Sequence, residues 1–160
     1  MSIEVLTEEE AQASEYYTNL LLKVKEILKA NGSILKAGFY SVKENVFIGS
    51  RRALPSLPAI HIEGARHTEG YLTYGNRENT ITFRVFIWFY TVWADTEENE
   101  KQIHQLGDRL MEVFRQNEDL DGLARQIPSM DVAYDTMSTQ EGGFLRAGLL
   151  VLEIAKDVSI

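Results

Sequence analysis

Residues 80–93 read TITFRVFIWFYTVW, and the fold follows from how this stretch alternates. One set of alternate positions carries Ile81, Phe83, Val85, Ile87, Phe89 and Trp93, with Thr91 among them. The other carries Thr82 and Arg84, then Phe86, Trp88, Tyr90 and Val92. Successive side chains of a strand point to opposite faces, so a period of two rich in aromatic and β-branched residues predicts a strand. Its start has one polar face, whereas further on both faces are apolar. The pattern therefore predicts a strand half-exposed at its beginning and covered on both faces later. The polar segment Tyr74-Gly75-Asn76-Arg77-Glu78-Asn79 before it suits the tip of a long hairpin.

Upstream, Phe39–Val42 and Val46–Ile48 flank Lys43-Glu44-Asn45, which suggests a short hairpin. Two prolines make Arg51 to Pro58 a connector, and Ala59-Ile60-His61-Ile62-Glu63 reads as the next strand. Residues up to Tyr74 could extend that strand, although Gly64 and Gly70 weaken a continuous pairing. Downstream, Met130 to Met137 and Leu145 to Lys156 are two closing strands, joined by a mobile loop from Ser138 to Gly143.

Two helices bracket the strands. Thr7-Glu8-Glu9-Glu10 has the capping-box form, and Ala13, Tyr17, Leu20, Leu21, Val24, Ile27 and Leu28 follow at helical spacing. Asn31-Gly32 predicts a left-handed stop. Asp95-Thr96-Glu97-Glu98 opens the second helix, whose stripe is Ile103, Leu106, Leu110, Val113 and Phe114 and which should end near Asn117. Residues 1–160 thus read as one α+β domain: a helix over 7–31, strands and a long β-hairpin arm over 38–93, a helix over 95–117, and closing strands over 130–157. A mainly antiparallel sheet with both helices on one side is the expected architecture.

Composition narrows the function. The net charge is −8, which disfavours gripping nucleic acid or anionic lipid. The apolar run from Val85 to Tyr90 is far short of the roughly 20 residues that span a bilayer. The acidic start lacks the features of a secretory signal, so a cytosolic protein is expected. With no cysteine, there is no thiol nucleophile, thiolate metal site or disulfide framework.

The residues offer little catalytic chemistry. His61 and Glu63 share a strand face, but a metal would need further ligands from elsewhere. His104 and Asp108 are spaced for an ordinary helix-surface contact, and His67 reads as a loop residue with no partner. Asp131 and Asp135 would stand about 13 Å apart on a strand, too far for a retaining glycosidase pair. Arg51-Arg52 is a basic pair best read as a solvated loop. Gly142-Gly143 lies between strands and is no phosphate cradle. No catalytic residue, metal or cofactor is expected.

The aromatics say more. Tyr71 and Tyr74 flank the hairpin tip, and Phe86, Trp88 and Tyr90 line one face of the central strand. Either the two helices cover the latter three, or a neighbouring subunit does.

An N-terminal amphipathic helix, strands introduced by Leu54-Pro55-Ser56-Leu57-Pro58-Ala59-Ile60-His61-Ile62, a long hairpin, a helix after Trp93-Ala94-Asp95-Thr96-Glu97, and closing strands with Gly148-Leu149-Leu150-Val151-Leu152-Glu153-Ile154 form a recognisable order. This layout resembles the tail-terminator, or tail-completion, proteins of long-tailed bacteriophages, over nearly the whole chain in element order and size. The resemblance implies a structural virion protein, assembled in the host cytoplasm and located in the tail or neck. Such a protein forms a hexameric ring that ends tail-tube polymerisation and joins tail to head. Its partners would be its own copies, the tail-tube protein and head-connector or neck proteins. DNA would pass through the ring without specific binding, and no membrane is involved. On this reading Tyr71, Tyr74, Arg77, Phe86, Trp88, Tyr90, Gly142, Gly143 and Phe144 are subunit-interface candidates. Glu97, Glu98, Glu100 and Glu118 are candidates to face the channel. Another neck or tail-tube component, a small-molecule binding domain, and a hydrolase or metal enzyme built on His61 and Glu63 are the alternatives.

Overall fold

The computed structural model describes residues 3, 5–37, 40–42, 45–49, 58–71, 78–93, 95–138 and 144–159. It is an α+β structure: helices α1 (Glu8–Ala13), α2 (Tyr16–Ala30) and α3 (Thr96–Arg115) accompany strands β1 (Lys36–Ala37), β2 (Tyr40–Ser41), β3 (Val46–Ile48), β4 (Ala59–Tyr71), β5 (Glu78–Trp93), β6 (Gln126–Ser138) and β7 (Phe144–Ser159). The main sheet has the order β3-β4-β5-β7-β6. Among the described residues only the β3–β4 pair is parallel. Among the described residues no helix is long and apolar enough to cross a membrane.

The expected first helix is two helices. Thr7 caps α1 with a full capping box: its hydroxyl accepts from the Glu10 amide at 3.1 Å, and the Glu10 carboxylate receives the Thr7 amide at 3.4 Å. No residue of α1 is buried, so nothing in the core holds it in line, and it ends at Ser14. The buried stripe belongs to α2 through Leu20, Val24, Ile27 and Leu28. The left-handed stop is also corrected. Asn31 sits at φ −99°, and its side-chain amide donates to the Ile27 carbonyl at 2.8 Å.

α3 begins where its sequence places it. The Asp95 carboxylate accepts from the Glu97 and Glu98 amides at 2.9 and 3.2 Å. Its five predicted stripe residues are all buried. Burial stabilises by roughly 1.5–3 kcal/mol for each large side chain. They meet Ile81, Phe83, Val85, Ile87 and Phe89 of β5, with Leu150, Leu152 and Ile154 of β7, in one core that α2 shares.

The hairpin expected over 39–48 does not form. β2 pairs with β1 in a separate two-stranded ribbon, and β3 pairs parallel with β4. The long hairpin is only partly within view. β4 and β5 pair from Ala59↔Tyr90 out to Tyr71↔Asn79, and the intervening tip, residues 72–77, lies outside the described residues. The β5 half of this ladder is no free arm, because β7 pairs with it as far as Glu78↔Ser159. Between Gly64 and Arg66 the register shifts at a β-bulge. The Tyr17 hydroxyl fills that bulge, accepting from the Ala65 and Arg66 amides at 2.8 and 3.1 Å.

Candidate assembly surface

Residues directly opposite each other across antiparallel strands share a face. α2 and α3 pack on the face that carries Phe83, Val85, Ile87 and Phe89. The other face carries Phe86, Trp88, Tyr90 and Val92 of β5. Around them stand Leu145, Leu149 and Val151 of β7 and Ala133 of β6. Among the described residues no helix covers this outer face, which corrects the expectation that β5 is covered on both sides. Phe86, Trp88, Tyr90, Leu145, Leu149 and Val151 are all half-buried, and Val92 is 38% exposed. The remainder of the face is polar. Arg84 and Glu153 pair across strands at 3.0 Å, and Thr80 donates to Asp157 at 2.9 Å.

His61 stands at the margin of the apolar half, opposite Trp88, and is only 7% exposed. Its Nε2 lies 3.1 Å from a Glu63 carboxylate oxygen, and its Nδ1 lies 3.3 Å from the Tyr90 hydroxyl. A carboxylate only accepts, so in the neutral ring Nε2 carries the proton and Nδ1 accepts from Tyr90. Burial pushes the His61 pKa below its ordinary value, against the opposing pull of Glu63. Burial, aided by the Glu63 charge, pushes the Tyr90 phenol up to about 12. A nucleophilic phenol needs the opposite shift. The trio therefore acts as a satisfied hydrogen-bond chain that fixes two rings of the face, and Tyr90 serves as a donor.

The predicted interface residues divide three ways. Phe86, Trp88 and Tyr90 come together on the outer face. Tyr71 ends β4, and Phe144 begins β7 opposite Trp93. Tyr74, Arg77, Gly142 and Gly143 lie outside the described residues, as does the Arg51-Arg52 pair. The four acidic candidates are not gathered in one place. Glu97 is near the start of α3, and Glu118 lies beyond its end, roughly 30 Å away at 1.5 Å per residue. Glu98 accepts from Gln102 at 2.7 Å. Glu100 holds Arg146 of β7 at 2.8 Å and His104 at 2.9 Å. That second contact displaces the expected His104–Asp108 pair. His67, read as a loop residue, is in β4 and packs edge-on against Tyr17.

Leu145, Leu149 and Val151 lie outside the sequence candidates, because Gly148–Leu152 reads as one apolar run. A signal was available. β5 and β7 both carry apolar residues at every position through their central parts, while two long helices suffice for one face only. Among the described residues no group of three or more His, Asp or Glu is placed to hold a metal ion. A shallow cleft of about 200 Å³, lined by Tyr17, His67, Ile81 and Phe83, lies beside the α1–α2 joint. That is below the roughly 300–1,000 Å³ of ordinary ligand pockets. Compared with known protein families and with curated proteins, the sequence matches none of them.

Proposed function

We propose that this chain is a non-catalytic subunit of a larger protein assembly, and specifically a ring-forming tail terminator of a long-tailed phage. The observation that carries the assembly reading is the outer sheet face. Phe86, Trp88, Tyr90, Leu145, Leu149 and Val151 form a contiguous apolar surface that the described residues leave open. Large exposed apolar patches with polar rims mark protein contacts, and aromatic residues are enriched at their centres. The terminator reading rests on the element order and size that resemble that family. In this assignment the ring is a hexamer bound to tail-tube and neck proteins, with DNA passing through it unbound.

Light scattering over a range of concentrations tests the reading. The expected result is a molar mass that climbs toward six copies, with ring-shaped particles in electron micrographs. A strict monomer at every concentration, with and without tail-tube protein, would overturn it.

A further inference from the structure

Building on that assembly reading, we infer that copies of this chain join edge to edge, β6 of one copy adding to the outer half of β4 in the next. The sheet ends in two incomplete edges. β3 pairs with β4 only over Ile60–Ile62, and the Gly49 amide adds one bond to the Ile62 carbonyl. From Glu63 to Tyr71, β4 has no strand on its outer side among the described residues. At the opposite margin β6 pairs only with β7 among the described residues. Pro128 and the irregularity between Gln126 and Ser129 guard the first few residues of β6, whereas Met130–Ser138 continues in regular pairing. The two stretches without an outer strand among the described residues, Glu63–Tyr71 and Met130–Ser138, are equal in length. Free edges of this kind are templates for another strand.

Direction and charge select the partner. β4 and β7 run one way, β5 and β6 the other. If the sheet continues with the same face outward, β6 meets the next β4 antiparallel. A register with Arg66 opposite Asp135 sets Thr68 opposite Ala133 and stops short of β3. Arg66 is exposed and placed to take such a neighbour. Within its own chain it stands opposite Arg84, whose guanidinium is engaged by Glu153. No carboxylate among the described residues lies within ion-pair distance of Arg66. Pairing β6 with its own copy around Ala133 would instead set Asp131 against Asp135, and like charges directly opposite are destabilising. The joint is therefore heterologous, and repetition of a heterologous contact closes a ring or extends a filament. It also adjoins the apolar half of the outer face, because Met130–Ser138 pairs with the part of β7 that holds Leu145, Leu149 and Val151.

The chain has no cysteine, so an introduced pair reports the joint directly. Thr68 and Ala133 are exposed, and strands paired in this register bring opposite Cα atoms to about 4.5–5.5 Å, within disulfide range. Full-length protein carrying Thr68→Cys and Ala133→Cys together should form a ladder of disulfide-linked multimers when oxidised with copper phenanthroline. A mixture of the two single variants should stop at dimers, and adding Arg66→Glu should slow the cross-linking several-fold. Self-linkage of Ala133→Cys alone would overturn the inference in favour of β6 pairing with itself. An oligomer by light scattering that gives no cross-link would overturn the edge joint and leave the assembly reading standing. A monomer that gives none would overturn both.

Discussion

The ring of Phe89 occupies the space that a side chain on Gly148 would need: a Cβ placed there would stand 2.2 Å from the ring's Cζ. The two residues are directly paired on β5 and β7, beneath α3. Gly107 of that helix likewise leaves only 3.3 Å between its own would-be Cβ and the same atom. Helix and sheet approach each other around this ring because both sides lack side chains. Gly148→Ala should therefore overpack the core and lower the unfolding free energy by about 1–3 kcal/mol, the usual cost of an inserted methyl group in a tight core. Urea unfolding followed by circular dichroism measures it, and an unchanged midpoint would refute the packing described.

Neighbouring positions on β5 should respond in opposite ways. Phe89 is fully buried, so Phe89→Ala should cost about 3–5 kcal/mol. Trp88, one residue away, faces outward, and Trp88→Ala should cost much less while weakening association. Stability from urea melts and molar mass from light scattering separate the two effects. Equal destabilisation by both substitutions would show that the outer face belongs to the core.

Tyr17 ties α2 to the β4 bulge through one oxygen, which also donates to the Arg84 carbonyl. Tyr17→Phe keeps the ring and leaves the Ala65 and Arg66 amides without their acceptor. The expected loss is about 0.5–1.5 kcal/mol, the net worth of an ordinary hydrogen bond, because water can reach the two amides. Hydrogen exchange at those two amides should accelerate, and unchanged protection would count against the plug.

Protonation of His61 should weaken the fold. Its folded pKa lies below the ordinary value of 6.5, so near and below that pH the unfolded chain binds more protons than the folded one. Stability is then retained above pH 6.5 and falls as pH drops from there toward the folded pKa. The charged groups facing the ring soften the effect, since Glu63 favours the imidazolium while Tyr90 stays neutral. His61→Gln should flatten the dependence between pH 7.5 and 5.5 in thermal melts. A variant that keeps the wild-type slope would assign the acid sensitivity to other groups.

Much of this architecture is legible in local sequence. α3 could be bounded closely because a capping aspartate and an unbroken stripe coincide, and β5 is unmistakable from its alternation. The misreadings share a cause, which is that partners distant in sequence leave no local mark. Lys43-Glu44-Asn45 is a plausible hairpin turn, yet β3 pairs parallel with residues 60–62 instead. His61 gains Tyr90 only through the β4–β5 register. Trp88 and Phe89 look alike in any hydropathy pattern, and only the count of helices available to cover each face tells them apart. The break at Ser14 follows from the absence of buried residues in α1, a property of the packed state that the capping box cannot announce.

The strand order gives β7 a special place in time as well as in space. It lies between β5 and β6, and α3 and β6 both precede it along the chain. On a ribosome β5 can pair with β4 as it emerges, but its other edge and the whole of β6 wait for β7, which is complete only at Ser159. Contacts of such sequence separation make folding slow, with exposed strand edges in the interval. The topology thus makes the docking of β7 the step that closes the sheet.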